Sequence, residues 1–313
     1  MQTALGLAAR GLGRTWPNPS VGCVLAHQGR VVGRGWTQPG GRPHGETEAL
    51  AQAGGRARGS TAYVTLEPCA HHGQTPPCAE ALVAAGIARA VVALQDPYPQ
   101  VAGRGLKLLS EAGIAVETGL CEAEAAELNA GFLMRLALGR PLVTLKLAGS
   151  LDGRIATRAG ESRWITGETA RQRGHLMRAQ HDAVMIGAGT AAADDPELSV
   201  RLAGLTERAP IRIVVDGRLR LPLTGRMVRT AKAQRTWIFC LPTADQTRRQ
   251  AFVDSGIEVT AVEPDAAGTV DLRQVLRLLG ETGLTRVLVE GGGKLAASLL
   301  RAGLVDRLAW FHA

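Results

Sequence analysis

The sequence predicts an α/β protein made of two different domains in tandem, on three observations. Its 313 residues amount to about two domains of roughly 150 residues each. Apolar runs of strand length alternate with amphipathic segments through both halves, the pattern of α/β folds. Residues 121–138, "CEAEAAELNAGFLMRLAL", repeat apolar positions at helical spacing and stop at "GRP". That stop followed by a proline places a boundary near residue 140, giving domains 1–140 and 141–313.

The elements follow in order. "SVGCVLAHQGRVVGRGW" reads as a hairpin turning at residues 27–30, and "TAYVTL", "RAVVAL" and "GIAVETG" read as further strands. Helical patterns lie after Glu46, after Cys78 and near Gly105. The second half opens with "PLVTLKLAGSLDG", a strand running into a polar loop. It continues with "DAVMIGAG", "IRIVVDG", "RTWIFCL", "IEVTAV", "RVLVEGGG" and "DRLAWFH" as strands, with helical segments between most of them. No fixed-period repeat or low-complexity tract interrupts this order.

Composition narrows the function classes. The hydrophobic share of 45% is enough for real cores. No run approaches the ~18 apolar residues of a membrane span, and the start "MQTALGLAARGLGRTW" has no charged region followed by a cleavage site, so a soluble, cytoplasmic protein with no membrane partner is expected. The net charge of +8 suits either nucleic acid or an anionic small substrate. Scattered basic residues and 4% aromatics leave little for base stacking and favour the small substrate, with no nucleic-acid partner. Only four of the 36 basic residues are lysines, which singles out Lys146 and Lys294. Cys23, Cys69, Cys78, Cys121 and Cys240 are odd in number with no export signal, so burial or metal binding outweighs a disulfide framework.

The stretch "HGETEAL" puts His44 and Glu46 two apart before a helical pattern, and "EPCAHHGQTPPC" spaces Cys69 and Cys78 around a loop. One nitrogen and two thiolates suit Zn2+. Three protein ligands leave a position open for a water whose pKa falls near ~7, able to attack an electrophilic carbon. Glu46, beside a ligand but not one itself, is placed to shuttle the proton to a departing amine. Either fragment alone occurs by chance. Their combination, a His-x-Glu opening a helix, then a strand, then Pro-Cys at the strand end and a Cys opening the next helix, parallels the zinc nucleobase deaminases, although the gap between cysteines is eight residues rather than two.

"PNPSVGCV", "HGETEAL", "YVTLEPCAHHGQTPPC" and "QDPYPQVAGRG" together resemble the riboflavin-biosynthesis deaminase/reductase branch of the cytidine-deaminase superfamily, and the resemblance runs along essentially the whole chain. It implies a cytidine-deaminase-like three-layer domain followed by a dihydrofolate-reductase-like domain that binds NADPH. Gly45 stands where the family more usually has alanine. The loop holding His71 and His72 resembles the family's substrate-facing loop, and Asn18 between Pro17 and Pro19 its pyrimidine contact; an asparagine bonding its own turn is the alternative.

In the second domain "MIGAGTAAAD" spaces Gly187, Gly189 and Ala192 as a dinucleotide fingerprint. The unit is not the first βα turn of its domain and lacks a clear acidic residue about twenty positions on, so the resemblance, not a Rossmann fold, sets the expectation. Matched to the family's motifs, Ala148, Trp164, Thr190, Asp194, Gly217 and Gly292, Gly293, Lys294, Leu295, Ala296, Ala297 and Ser298 fall where it touches NADPH. Ser162, Arg178, Leu198, Arg201 and Glu290 fall where it holds substrate. The two arginines suit a ribose phosphate, since a guanidinium fork matches phosphate oxygens. Lys146, in an otherwise apolar strand, is assigned to the substrate by its charge, and with Asp152 it flanks the loop "KLAGSLDG".

The resemblance therefore implies hydrolysis of the C2 amino group of 2,5-diamino-6-ribosylamino-4(3H)-pyrimidinone 5′-phosphate, then NADPH reduction of the ribosyl side chain to ribityl. The partners expected are small pyrimidine ribose-phosphates, in a homo-oligomer. A zinc nucleobase or tRNA deaminase with an inactive second domain, and a basic nucleic-acid-binding module with structural zinc, are the competing readings. The family normally continues past "DRLAWFHA" with further strands, so the chain is expected to lack its reductase end here, with Leu308, Trp310 and Phe311 on a sheet edge.

Overall fold

A computed structural model describes residues 1–72, 76–98, 102–155 and 166–312. Ser162 and Trp164 lie outside the described residues. The chain divides into two compact units, Met1–Ala137 and Leu138–Ala313.

The first unit runs α1 (Gln2–Ala8), β1 (Gly22–His27), β2 (Arg30–Trp36), α2 (Gly45–Ala53), β3 (Thr61–Val64), α3 (Cys78–Ala84), β4 (Arg89–Val92), α4 (Arg104–Glu111), β5 (Ala115–Thr118), α5 (Glu122–Leu128) and α6 (Ala130–Leu138). Its sheet has the order β2-β1-β3-β4-β5, antiparallel around β1 and parallel from β3 to β5. Side chains alternate between the faces of a strand. Cys23 and Leu25 face Ala49 and Ala53 of α2, Leu82 of α3 and Leu109 of α4 in one core. Val24 turns the other way onto Ala4 and Leu7 of α1, while Leu5 and Ala93 meet Ala125 of α5. Helices on both faces make the three layers.

The glycines of "GRVVGRGW" seat α2. A Cβ on Gly33 would lie 2.2 Å from the Ala49 carbonyl oxygen, and one on Gly35 would lie 2.1 Å from that of Gly45. Alternate glycines thus clear one face of β2 so that the helix backbone lies directly on it. Gly45 has the same constraint, its Cβ position being 2.7 Å from the Val21 carbonyl oxygen. The single helix expected over 121–138 is two helices that meet at buried Asn129, whose φ of −98° and ψ of 14° bend the chain although its N–H still donates to the Ala125 carbonyl at 3.1 Å and its carbonyl accepts from Leu133 at 3.0 Å. Its side chain is held elsewhere, Oδ1 accepting the Ser20 N–H at 2.9 Å and Nδ2 donating to the Ser20 carbonyl at 3.2 Å. An asparagine that bonds a distant backbone competes with the helix it interrupts.

The second unit runs β6 (Leu142–Gly149), α7 (Glu168–Ala179), β7 (Ala183–Gly187), α8 (Ala188–Asp194), β8 (Ile211–Val215), α9 (Arg226–Arg229), β9 (Thr236–Cys240), α10 (Gln246–Asp254), β10 (Glu258–Ala261), α11 (Leu272–Glu281), β11 (Arg286–Glu290), α12 (Gly293–Arg301) and β12 (Arg307–His312). Seven parallel strands take the order β10-β9-β8-β7-β11-β6-β12. Every residue of β9 and β11 is buried, as parallel strands covered on both faces require. The chain moves outward from β7 to β10 and then returns to insert β11 beside β7, so a switch point lies between those two strands, where open α/β sheets form a crevice at the carboxyl ends. Leu308, Trp310 and Phe311 all lie on β12, the edge strand, as expected; Leu308 and Trp310 are exposed, while Phe311 turns with Ala309 to the face that packs against the core.

Candidate active sites

In the first unit, His44 is the extended N-cap of α2, with Glu46 and Glu48 in the first turn, where carboxylates complement the helix dipole. Cys69 lies in the loop beyond β3, five residues past its end rather than at the strand end, and Cys78 opens α3. His44 Nδ1 is 3.3 Å from Cys78 Sγ and 3.7 Å from Cys69 Sγ. Tetrahedral zinc with ordinary Zn–N and Zn–S bonds needs an N···S separation of about 3.6 Å. Both N···S distances are close to that value, and the three donor atoms lie within 4.8 Å of one another, a set that could hold the ion. The Cys78 backbone N–H donates to Cys69 Sγ at 3.3 Å, orienting the sulfur.

The electrostatics are those of a cation site. The Cys78 hydrogen bond, above all, holds the Cys69 thiol down to about 4, while the same contact and burial push Cys78 up. The pair thus keeps a proton that metal binding would release. Glu46 is buried, and burial pushes its carboxyl up to about 7 despite the opposing charge of His44. Its Oε2 has no hydrogen-bond partner. A buried carboxyl with a free oxygen and a near-neutral pKa can take up and deliver a proton.

His44, Cys69 and Glu46 border a cavity of about 280 Å³. Asn18 reaches it and donates from Nδ2 to the Gly41 carbonyl at 2.8 Å, instead of bonding its own turn. His71 faces the cavity, whereas exposed His72 pairs with Glu80 at 3.1 Å. Residues not singled out in the sequence also line it: Thr37, Arg42, Glu67, Asp96, Tyr98, Phe132, Arg135 and Leu136. Glu67 is the hub of one wall, its buried carboxylate accepting the N–H groups of Asp96, Gly103, Gly105 and Leu106 at 2.9–3.4 Å. The signal for it was an acidic residue directly before Pro-Cys with a glycine-rich segment to hold.

In the second unit, Thr190 and the Gly291-Gly292 turn meet at the β7–β11 switch point. Gly291 and Gly292 have φ of 78° and 59°, and a Cβ on Gly292 would lie 2.8 Å from Thr190 Oγ1, so Thr190 of α8 sits directly against the turn that opens α12. Gly292, Gly293 and Lys294 are exposed, Ala297 and Ser298 are half-buried, and Leu295 and Ala296 are buried. What this segment offers a ligand is the backbone N–H groups of a helix N-terminus, not the Leu295 and Ala296 side chains. Ala148 near the end of β6 and Gly217 just beyond β8 lie at the carboxyl ends of their strands, and exposed Asp194 ends α8.

Glu290 ends β11 and is the centre of an ionic cluster. Arg178 meets it through two contacts, of 2.5 and 3.0 Å, and also donates to the Ser199 carbonyl at 2.9 Å. Lys146, opposite Glu290 in the β6–β11 register, lies 3.8 Å away and 5.5 Å from the Phe311 ring centroid. Burial disfavours the Glu290 charge, but Arg178 and then Lys146 outweigh it and hold the carboxyl below its usual range. Arg178 is thus closed on Glu290 rather than open as a phosphate fork. Leu198 is buried with φ of 55°, and exposed Arg201 lies 3.9 Å from Glu197, with its N–H bonded to His175 Nδ1. Exposed Asp152 bonds Ser150 and Arg154, its carboxyl lowered first by the serine hydroxyl.

Among the described residues no helix is long and apolar enough to cross a membrane. Comparison with known proteins matches residues 1–94 to the cytidine and deoxycytidylate deaminase zinc-binding region and residues 141–313 to the RibD C-terminal domain. The riboflavin biosynthesis protein RibD of Escherichia coli (strain K12) is 47% identical over 98% of this chain and 85% of its own length. A structure of Acinetobacter baumannii RibD superposes with a TM-score of 0.89 at 44% identity, covering all of this chain and 85% of that one. The diaminohydroxyphosphoribosylaminopyrimidine deaminase/5-amino-6-(5-phosphoribosylamino)uracil reductase of Thermotoga maritima gives a TM-score of 0.87 at 34% identity with the same coverage. The first unit is a cytidine-deaminase-like domain, the second is dihydrofolate-reductase-like, and the chain belongs to the RibD family of riboflavin biosynthesis proteins.

Proposed function

We propose that residues 1–140 deaminate 2,5-diamino-6-ribosylamino-4(3H)-pyrimidinone 5′-phosphate at C2, and that residues 141–313 then reduce the ribosyl side chain with NADPH to 5-amino-6-ribitylamino-uracil 5′-phosphate. The protein is a bifunctional deaminase and reductase of riboflavin biosynthesis. The observation that carries the detailed reading is the convergence of His44, Cys69 and Cys78 at one edge of a cavity that His44, Cys69 and Glu46, with its unpartnered Oε2, all line.

His44, Cys69 and Cys78 would hold the zinc, which would supply the Lewis acidity that makes water a nucleophile near neutral pH. Glu46 takes the proton of the attacking water on Oε2 and delivers it to the C2 amino group, which leaves as ammonia. Asn18 is fixed by its bond to Gly41, which leaves Oδ1 to accept an N–H of the pyrimidine.

In the reductase, NADPH held at this site would supply the hydride that C1′ of the opened sugar imine requires, with a proton from solvent completing the amine and NADP+ as the oxidised product. The amides of residues 292–298, with Ala148, Trp164, Thr190, Asp194 and Gly217, hold the NADPH, and Ser162, Leu198, Arg201, Lys146 and Glu290 hold the substrate. Arg178 acts through Glu290, keeping its carboxylate charged and in place, while Lys146 sets a positive charge at the end of the crevice. The enzyme works as a cytoplasmic homo-oligomer on these small molecules.

Glu46→Gln tests the assignment. It should keep zinc and still oxidise NADPH on the deaminated pyrimidine, while ammonia release falls by roughly 10²-fold or more, the scale of general acid–base catalysis. Near-normal deamination by that variant would remove Glu46 from the mechanism.

A further inference from the structure

Residues 95–140 lie between the two stretches that match known family models. They nevertheless supply Asp96, Tyr98, Phe132, Arg135 and Leu136 to the deaminase cavity. The zinc-binding part of the fold therefore covers only some of the cavity wall, and α6 provides another part. The substrate that this cavity must take, if the proposed deamination holds, is an uncharged pyrimidine carrying a phosphate dianion. Zinc chemistry alone needs nothing for that dianion, and the carboxylates of Glu46, Glu67 and Asp96 repel it. Among the described residues, the arginines that line the same cavity are Arg42 and Arg135. Arg42 comes from the turn leading into α2 and Arg135 from α6, so they approach from different elements. Both are half-buried, which anchors their stems while leaving part of each side chain accessible.

We propose that Arg135, together with Arg42, forms the subsite that holds the 5′-phosphate of the deaminase substrate, making α6 the element that adapts a zinc deaminase pocket to a phosphoribosyl ligand. A guanidinium offers paired N–H donors that match phosphate oxygens, and two of them on separate elements fix the ligand's long axis relative to the metal end. The role is specificity, so it shows in KM and depends on the phosphate.

The test is steady-state ammonia release from the 5′-phosphorylated pyrimidine and from its dephosphorylated ribosylamino counterpart, using the full chain loaded with zinc. Arg135→Ala should raise KM for the phosphorylated compound roughly 10- to 100-fold, the scale of losing a charge-assisted contact, with little change in kcat. It should leave kcat/KM for the dephosphorylated compound unchanged, and Arg135→Lys should recover part of the loss. Equal losses with both compounds, as a merely structural wall residue would give, would overturn the proposal, and so would an unchanged KM. If Arg135→Ala fails to retain zinc, Arg42→Ala carries the same comparison: a KM rise confined to the phosphorylated compound supports the subsite, and equal losses or an unchanged KM overturn it. Wild-type protein separates the subsite from the deaminase activity it rests on. Ammonia from both compounds at equal KM refutes the subsite alone, whereas ammonia from neither refutes the deaminase assignment and the subsite with it.

Discussion

The two candidate sites are built from different material. At the deaminase site, His44, Glu46, Cys69 and Cys78 bring side-chain chemistry to one point from the start of α2, the loop after β3 and the start of α3. At the reductase crevice the central features are backbone: the Gly291-Gly292 turn, the first amides of α12 and the ends of parallel strands, with the Glu290 cluster at one side. A site made of side chains fails when one ligand is removed, even if the fold stands. A site made of backbone fails through changes in conformation or in the sheet that carries it.

The sharpest way to break this contrast is to remove the metal. Cys78→Ala, or prolonged chelation, should take ammonia release to the uncatalysed level while NADPH oxidation on the deaminated pyrimidine is unchanged. Zinc analysis beside both assays checks it, and retained zinc in Cys78→Ala would contradict the ligand set. Next in size is Glu290→Ala, which leaves the Arg178 and Lys146 charges without their shared partner. It should abolish reduction and cost about 3 kcal/mol of second-unit stability, as removing one member of a buried ion cluster does. Denaturant melts of wild type and variant measure it, and deamination should be spared.

Acid should separate the units in a third way. His181 donates from Nδ1 to the Met177 carbonyl at 2.6 Å and accepts at Nε2 from the Thr144 hydroxyl at 3.0 Å, and burial lowers its pKa from 6.5 to about 4. The unfolded chain then takes up the proton first. Stability from this group is full above pH 6.5, declines as pH falls and levels off below about 4, a loss on the order of 3 kcal/mol. His181→Gln should flatten that decline in second-unit melts. The smallest expected effect is that of Gly292→Ala, which places a Cβ at positive φ against Thr190. It should raise KM for NADPH roughly tenfold through about 1–2 kcal/mol of backbone strain, without changing deamination.

The same contrast explains what could be read from the sequence. The metal set was legible because His, Glu and Cys have few reasons to stand at those spacings, and the strands because apolar runs mark them. The split between α5 and α6 was hidden because Asn129 sits within a continuous helical pattern, and its side-chain bonds to Ser20, 109 positions away, accompany a bend that no local pattern encodes. Glu67 read as part of a motif, yet its role is to bind four amides 29 to 39 positions away, which no local pattern encodes. Arg178 read as a phosphate fork because its charge was visible and its partner, 112 positions later, was not. Thr190 and Gly292 were placed by family resemblance, and their apposition emerges only when β11 inserts beside β7.

The central claim is that one chain performs two separable chemistries, zinc-dependent deamination in the first unit and NADPH-dependent reduction in the second. The direct measurement supplies the diaminopyrimidine ribose-phosphate to the purified protein, with and without NADPH, and follows ammonia, nucleotide oxidation and the pyrimidine products together. Ammonia should appear at the same rate in both reactions, with NADPH oxidised only as the deaminated pyrimidine forms. Ammonia release that requires NADPH, or nucleotide oxidation without any deamination, would contradict the account.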